Sequence, residues 1–275
     1  MLKSICKYSP KITRSVNMNI TKKIFLCLAL IFSIIVTSSC GENKKTNQNG
    51  QESKNPAPPA PAVAENFEWK INNGTLEIIG EGGMPDYESF TATPWYKNRN
   101  SVKTVVLYDG ITSVGNFAFS AMNTIKEIYM PEGVTHIGEK AFYECDGLES
   151  IKLPESLIVI GANAFGGCDH IKEIKIPENI SHIGEYAFSM CSSLEKIELP
   201  EGITSIEQYT FFLCEELKEI TIPSSINSIG ICAFELCENL ETIYYVGTSS
   251  EWDKVKKGEF WNGNSTKLKV YYSQS

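Results

Sequence analysis

The chain has 275 residues, 42% of them hydrophobic and 21% charged, with a formal net charge of −8. Six of its 25 Lys and Arg lie in residues 1–39, which contain no acid, so the remainder sets 19 basic residues against all 33 acids, a formal net of −14. An acidic surface of that kind excludes nucleic acid and anionic lipid as partners, because both need basic patches.

The six basic residues (Lys3, Lys7, Lys11, Arg14, Lys22, Lys23) precede the apolar run Ile24–Val36. A basic stretch before an apolar run of this length is the pattern of a secretory signal, and the run falls short of the ~20 residues of a membrane-spanning helix. Met18 opens a second complete basic stretch, so either Met1 or Met18 serves as a start. The run ends in "TSSC", Thr37 to Cys40, which resembles the bacterial lipobox, although the usual leucine is missing from its first position. The resemblance implies cleavage before Cys40, lipidation of its sulfur, and attachment to the bacterial outer membrane, at the cell surface or facing the periplasm. Residues 41–65 are polar and then rich in Pro and Ala. Such a composition buries no core and suits a tether.

The folded part begins near residue 66. "FEWKINNGTLEIIG" places alternating strand signals on either side of Asn73-Gly74, a hairpin dipeptide. A 23-residue period then takes over. Five clear units run Ile125–Gly147, Leu148–His170, Ile171–Ser193, Leu194–Glu216 and Leu217–Asn239. Val102–Thr124 is a degenerate unit and Leu240 opens a partial one. The unit reads L-x-x-I-x-L-P-x-x-I-x-x-I-G-x-x-A-F-x-x-C-x-x. A period of this length denotes stacked supersecondary units, a solenoid.

Each recurring residue type has a physical role. Leu148, Ile151 and Leu153 form the inward side of a short strand. Pro131, Pro154, Pro177, Pro200 and Pro223 close that strand, since Pro lacks a ladder donor. Gly161 and its equivalents allow close backbone approach, with Glu207 as the exception. Phe142, Phe165, Phe188, Phe211 and Phe234 are expected to stack. Successive coils lie ~4.8 Å apart wherever their strands pair.

The pattern resembles the BspA-like, Treponema-type leucine-rich repeats over residues 102–246. The resemblance implies a mainly β, curved, right-handed solenoid with a parallel β-sheet on its concave side. It also implies caps, at 66–101 with Pro94-Trp95-Tyr96 over one open end, and at 247–275 with Trp252, Phe260 and Trp261 over the other. Its members are exported or cell-surface proteins, several of them adhesive or protein-binding.

Cys145, Cys168, Cys191, Cys214 and Cys237 share one repeat position, with Met122 in the first unit. Buried free thiols suit such a position. Disulfides are the alternative, but five cysteines cannot all pair and their Cβ vectors run parallel. Zinc finds no paired C-x-x-C. Cysteine catalysis needs an activating histidine, and the three available are His136, His170 and His182. His136 and His182 share a repeat position, which suggests a surface column.

No catalytic or cofactor motif is present in the sequence, so the expectation is a non-enzyme without cofactor or metal. Binding requires only a surface. The outward strand position varies as Tyr129, Lys152, Lys175, Glu198, Thr221 and Tyr244, with Val106 as its degenerate equivalent. Beside it run Glu127, Ser150, Glu173, Lys196, Glu219 and Thr242. Tyrosine is a good interface residue, so this stripe is the candidate binding face. Its expected partner is a protein on a host or neighbouring cell; the alternatives are glycan binding and a periplasmic scaffold role. A glycan would use planar aromatics, and Trp252 and Trp261 are the ones considered, although both suit a cap core.

Overall fold

The computed structural model describes residues 58–60, 67–263 and 265–273. The signal segment, Cys40 and all of the tether except Pro58–Ala60 lie outside the described residues.

At the N-terminal end the strands are β1 (Phe67–Asn72), β2 (Thr75–Gly80) and β3 (Gly82–Gly83), followed by 3₁₀ turns at Phe90–Ala92 and Tyr96–Ser101. The coils contribute β4 (Thr104–Leu107), β5 (Ile111–Val114), β6 (Glu127–Tyr129), β7 (His136–Ile137), β8 (Val159–Ile160), β9 (His182–Ile183) and β10 (Lys196–Glu198). They continue with β11 (Ser205–Ile206), β12 (Glu219–Ile222), β13 (Ser228–Ile229) and β14 (Thr242–Tyr245). A four-residue helix α1 (Ser249–Trp252), β15 (Lys256–Lys257) and β16 (Lys269–Tyr272) close the far end. The result is a mainly β parallel solenoid of about seven turns with 23-residue spacing.

Two parallel ladders run along it. The first consists of β1-β2-β4-β6 and then β10-β12-β14-β16, and the second of β3-β5-β7-β8-β9 and then β11-β13-β15. Among the described residues only β1 and β2 pair antiparallel, through a two-residue turn in which Asn73 and Gly74 both have positive φ. That geometry matches strand twist. The first ladder is interrupted after β6, and an isolated bridge between Glu173 and Lys196 resumes it.

The break in the second ladder has a physical cause. A Cβ built on Gly161, Gly184, Gly230 or Gly258 would lie 2.4–2.7 Å from main-chain atoms of the preceding coil. Glycine is what lets the coils approach that closely. Glu207 carries a Cβ at this position, and the ladder stops there, between β9 and β11.

The interior is an aromatic column. Phe119, Phe142, Phe165, Phe188, Phe211 and Phe234 stack with centroids 5.4–5.7 Å apart and planes 3–13° from parallel. Trp95 stacks on Phe119 at 5.6 Å, and its indole Nε1 donates to the Ala118 carbonyl at 2.8 Å. Trp261 meets Phe234 edge-on at 6.3 Å. Each such pair adds about 0.5–1.5 kcal/mol beyond the area it buries.

The cysteines line the same interior. Every ladder thiol donates to the carbonyl of the phenylalanine 26 residues earlier, from Cys145 to Phe119 at 3.1 Å through Cys237 to Phe211 at 2.9 Å. The five ladder thiols are free and buried, and Cys232 is buried as well. Burial pushes the Cys145 and Cys191 thiols up to about 12 and holds Cys168 and Cys214 well above their ordinary value.

The shared position of His136 and His182 is not a surface column. His136 is buried and His182 half-buried, on β7 and β9 of the second ladder. Burial lowers the pKa of His182.

Candidate interaction face

Inward residues of the first ladder, such as Ile128, Ile197, Ile220 and Ile243, are buried. Strand alternation then forces the residues between them outward. Pairing aligns Val106 with Tyr129, Glu198 with Thr221, and Thr221 with Tyr244. Tyr129 is 55% exposed and Tyr244 45%. Lys152, Lys175 and Glu198 are exposed, and Thr221 and Val106 are half-buried. Lys152 and Lys175 lie where the ladder is interrupted, so no strand pairing fixes their alignment with the rest.

The structure lengthens the column at both ends. Glu77 aligns with Val106, and Tyr271, 51% exposed, aligns with Tyr244 and stacks on its ring at 5.9 Å. The repeat period could not have shown either. Glu77 precedes Val106 by 29 residues and Tyr271 follows Tyr244 by 27, because both caps depart from the 23-residue spacing. The signal for Tyr271 was the final strand "KLKVYY" itself.

Hydrogen bonds orient the tyrosines. Tyr129 donates to Glu127 Oε2 at 3.0 Å, and Tyr108 donates to Glu77 Oε2 at 3.0 Å. Each bond to a carboxylate raises its phenol's pKa, so both donors stay protonated at neutral pH. Lys70 pairs with Glu77 at 3.1 Å and, together with Tyr108, lowers the Glu77 pKa. Beside the column, charges alternate between coils. Lys126 meets Glu149 at 2.7 Å, Lys218 meets Glu195 at 2.9 Å, and Lys196 meets Glu173 at 3.6 Å. Exposed pairs of this kind contribute little to stability.

The indoles considered for sugar binding lie in the far cap. Trp252 is 6% exposed, and Trp261 is half-buried against the core. Among the described residues no three His, Cys, Asp or Glu side chains are grouped to hold a metal ion.

The model for the BspA-type leucine-rich-repeat region matches residues 93–192 and 135–267, in six copies. The chain belongs to the BspA-type leucine-rich-repeat family. This BspA-type solenoid is similar in fold to a leucine-rich repeat protein from Bacteroides ovatus, at 24% identity and a TM-score of 0.50 over 77% of this chain and 70% of the other. It is also similar to the T. pallidum leucine-rich repeat protein, at 23% identity and a TM-score of 0.53 over 72% and 98%. The pneumococcal vaccine antigen PcpA matches at 20% identity and a TM-score of 0.54, over 75% of this chain and 48% of the antigen. No curated protein matches the sequence.

Proposed function

We propose that this chain is a non-enzymatic exported lipoprotein, anchored through Cys40, whose first-ladder face binds a protein partner at the cell surface. The observation that carries the reading is the open tyrosine column. Tyr129 stands exposed on the first stretch of the interrupted ladder and Tyr244 and Tyr271 on the second, while Trp252 and Trp261 are engaged in the cap. Rigid aromatic anchors bind at low entropic cost. Acids flank the face. Asp109, Glu132, Glu155, Glu178 and Glu201 occupy one repeat position and are all exposed. The partner surface therefore carries basic groups. The lipobox and tether supply the anchor, and family membership supports a repeat-based binding role.

Two measurements test this. Protease shaving of intact cells should release peptides from residues 67–273 without lysis, and release only after the envelope is broken would sink the surface location. Against a partner recovered from surface-protein screens, Tyr129→Ala and Tyr244→Ala should each weaken binding about tenfold or more, as hot-spot tyrosines do, with unchanged melting temperature. Unchanged affinity in both would place the binding face elsewhere, and capture of sugars alone would favour the glycan reading.

A further inference from the structure

A groove of about 230 Å³ lies beside the second ladder, away from the tyrosine column. Met84, Asp86, Ser113, Asn116, His136 and Val159 line it together with Pro58 and Ala60. Residues 58–60 belong to the stretch whose composition reads as a tether, yet they touch the folded body.

The contact is specific. His136 is only 8% exposed, and its Nε2 lies 3.2 Å from the Pro58 carbonyl oxygen. A carbonyl oxygen can only accept, so Nε2 carries the proton. Nδ1 on the other side of the ring lies 2.8 Å from the Thr135 hydroxyl oxygen, which also donates to the Thr112 carbonyl at 3.2 Å. Without Pro58 the Nε2–H would lose its partner inside the groove. The ligand side is equally suited. Proline fixes φ, so a Pro-Pro-Ala segment loses little freedom when it docks. Extended proline-rich chain leaves its carbonyls free of internal bonds and available to an outside donor. Met84 and Val159 offer apolar floor for pyrrolidine rings, and the buried imidazole reads the carbonyl.

We propose that this groove is a binding site for proline-rich extended chain, and that its resident occupant is the protein's own Pro58-Pro59-Ala60, held by His136. The segment is then a strap, and the chain is fixed to the solenoid about nine residues before the first strand. The inference does not depend on the lipid anchor or on the tyrosine face.

The test uses the full chain, purified in detergent and labelled at Ile, Val and Met methyls for NMR. Nuclear Overhauser contacts should connect Pro58 ring protons with the Val159 methyls. Replacing Pro58→Gly and Pro59→Gly together should move the Met84, Val114 and Val159 methyls and leave Ile197 and Ile220 in place. A free PAPPAPA peptide should return those methyls toward their original positions in the double variant and have no effect on the parent. His136→Gln, which keeps an N–H donor, should retain the contacts. Absent contacts, unmoved groove methyls in the double variant, or a peptide that acts equally on parent and variant would each overturn the proposal.

Discussion

Two residues in each coil hold left-handed backbone, four positions apart, and most are not glycine. Lys140 and Glu144, Asn163 and Gly167, Tyr186 and Met190, and Tyr209 and Leu213 all have φ between 54° and 72°. Side-chain-bearing residues meet a steric penalty of roughly 1–2 kcal/mol there. Glycine escapes it but loses more freedom on folding. Glu144→Gly, which copies Gly167 of the next coil, should therefore stabilise by about 0.5–1 kcal/mol, and Gly167→Ala should destabilise by at least about 1 kcal/mol. Paired urea melts would show both. The thiols add a pH dependence. Cys145 and Cys191 titrate at about 12 in the folded chain against an ordinary 9.0, so as pH rises the unfolded chain loses these protons first. Their contribution is complete below about pH 9 and is lost progressively as pH climbs toward 12, at up to about 1.4 kcal/mol per pH unit for each thiol. In melts at increasing alkaline pH, Cys191→Ala should show a shallower decline than the parent. A disulfide reagent that reacts with the native ladder at neutral pH would contradict this account.

Strands and turns depend on the glycine column as much as on the apolar pattern. A Cβ at Gly184 would sit 2.6 Å from the Ala162 nitrogen, so Gly184→Ala should cost roughly 1–3 kcal/mol by overpacking. The converse change, Glu207→Gly, removes the one side chain at this position that interrupts the second ladder, and amides around residues 205–207 should gain hydrogen-exchange protection. Unchanged exchange there would assign the break to another cause. Both glycine and phenylalanine columns were legible in the sequence, because identical residues recur at an identical interval. The thiol bonds were not. They connect residues 26 apart rather than 23, since the cysteine follows the phenylalanine by three positions in each unit and bonds to the phenylalanine of the preceding coil. The sequence pattern presented the cysteines as small apolar fillers, whereas each also satisfies a carbonyl. The face was legible at Tyr129 and Tyr244 and illegible at Tyr271, where the cap adds four residues to the period.

Along the whole molecule, residues 102–246 carry 8 Lys and no Arg against 22 acids. Association with a basic partner should accordingly be steered by charge, with an on-rate that falls as salt rises while dissociation changes little. Stopped-flow binding at two ionic strengths would show it. Each coil contacts mainly its two neighbours, and the same stacking that builds the column joins one coil to the next. Stability is thus a chain of nearest-neighbour interfaces. That arrangement gives the molecule a mechanical character. Loaded between its two ends, the stack is pulled across its strands, so the hydrogen bonds of one interface bear the force before those of the next. Coils would peel away in sequence at low force, each releasing about 75–80 Å of contour from its 23 residues, and the solenoid would lengthen in even steps under tension.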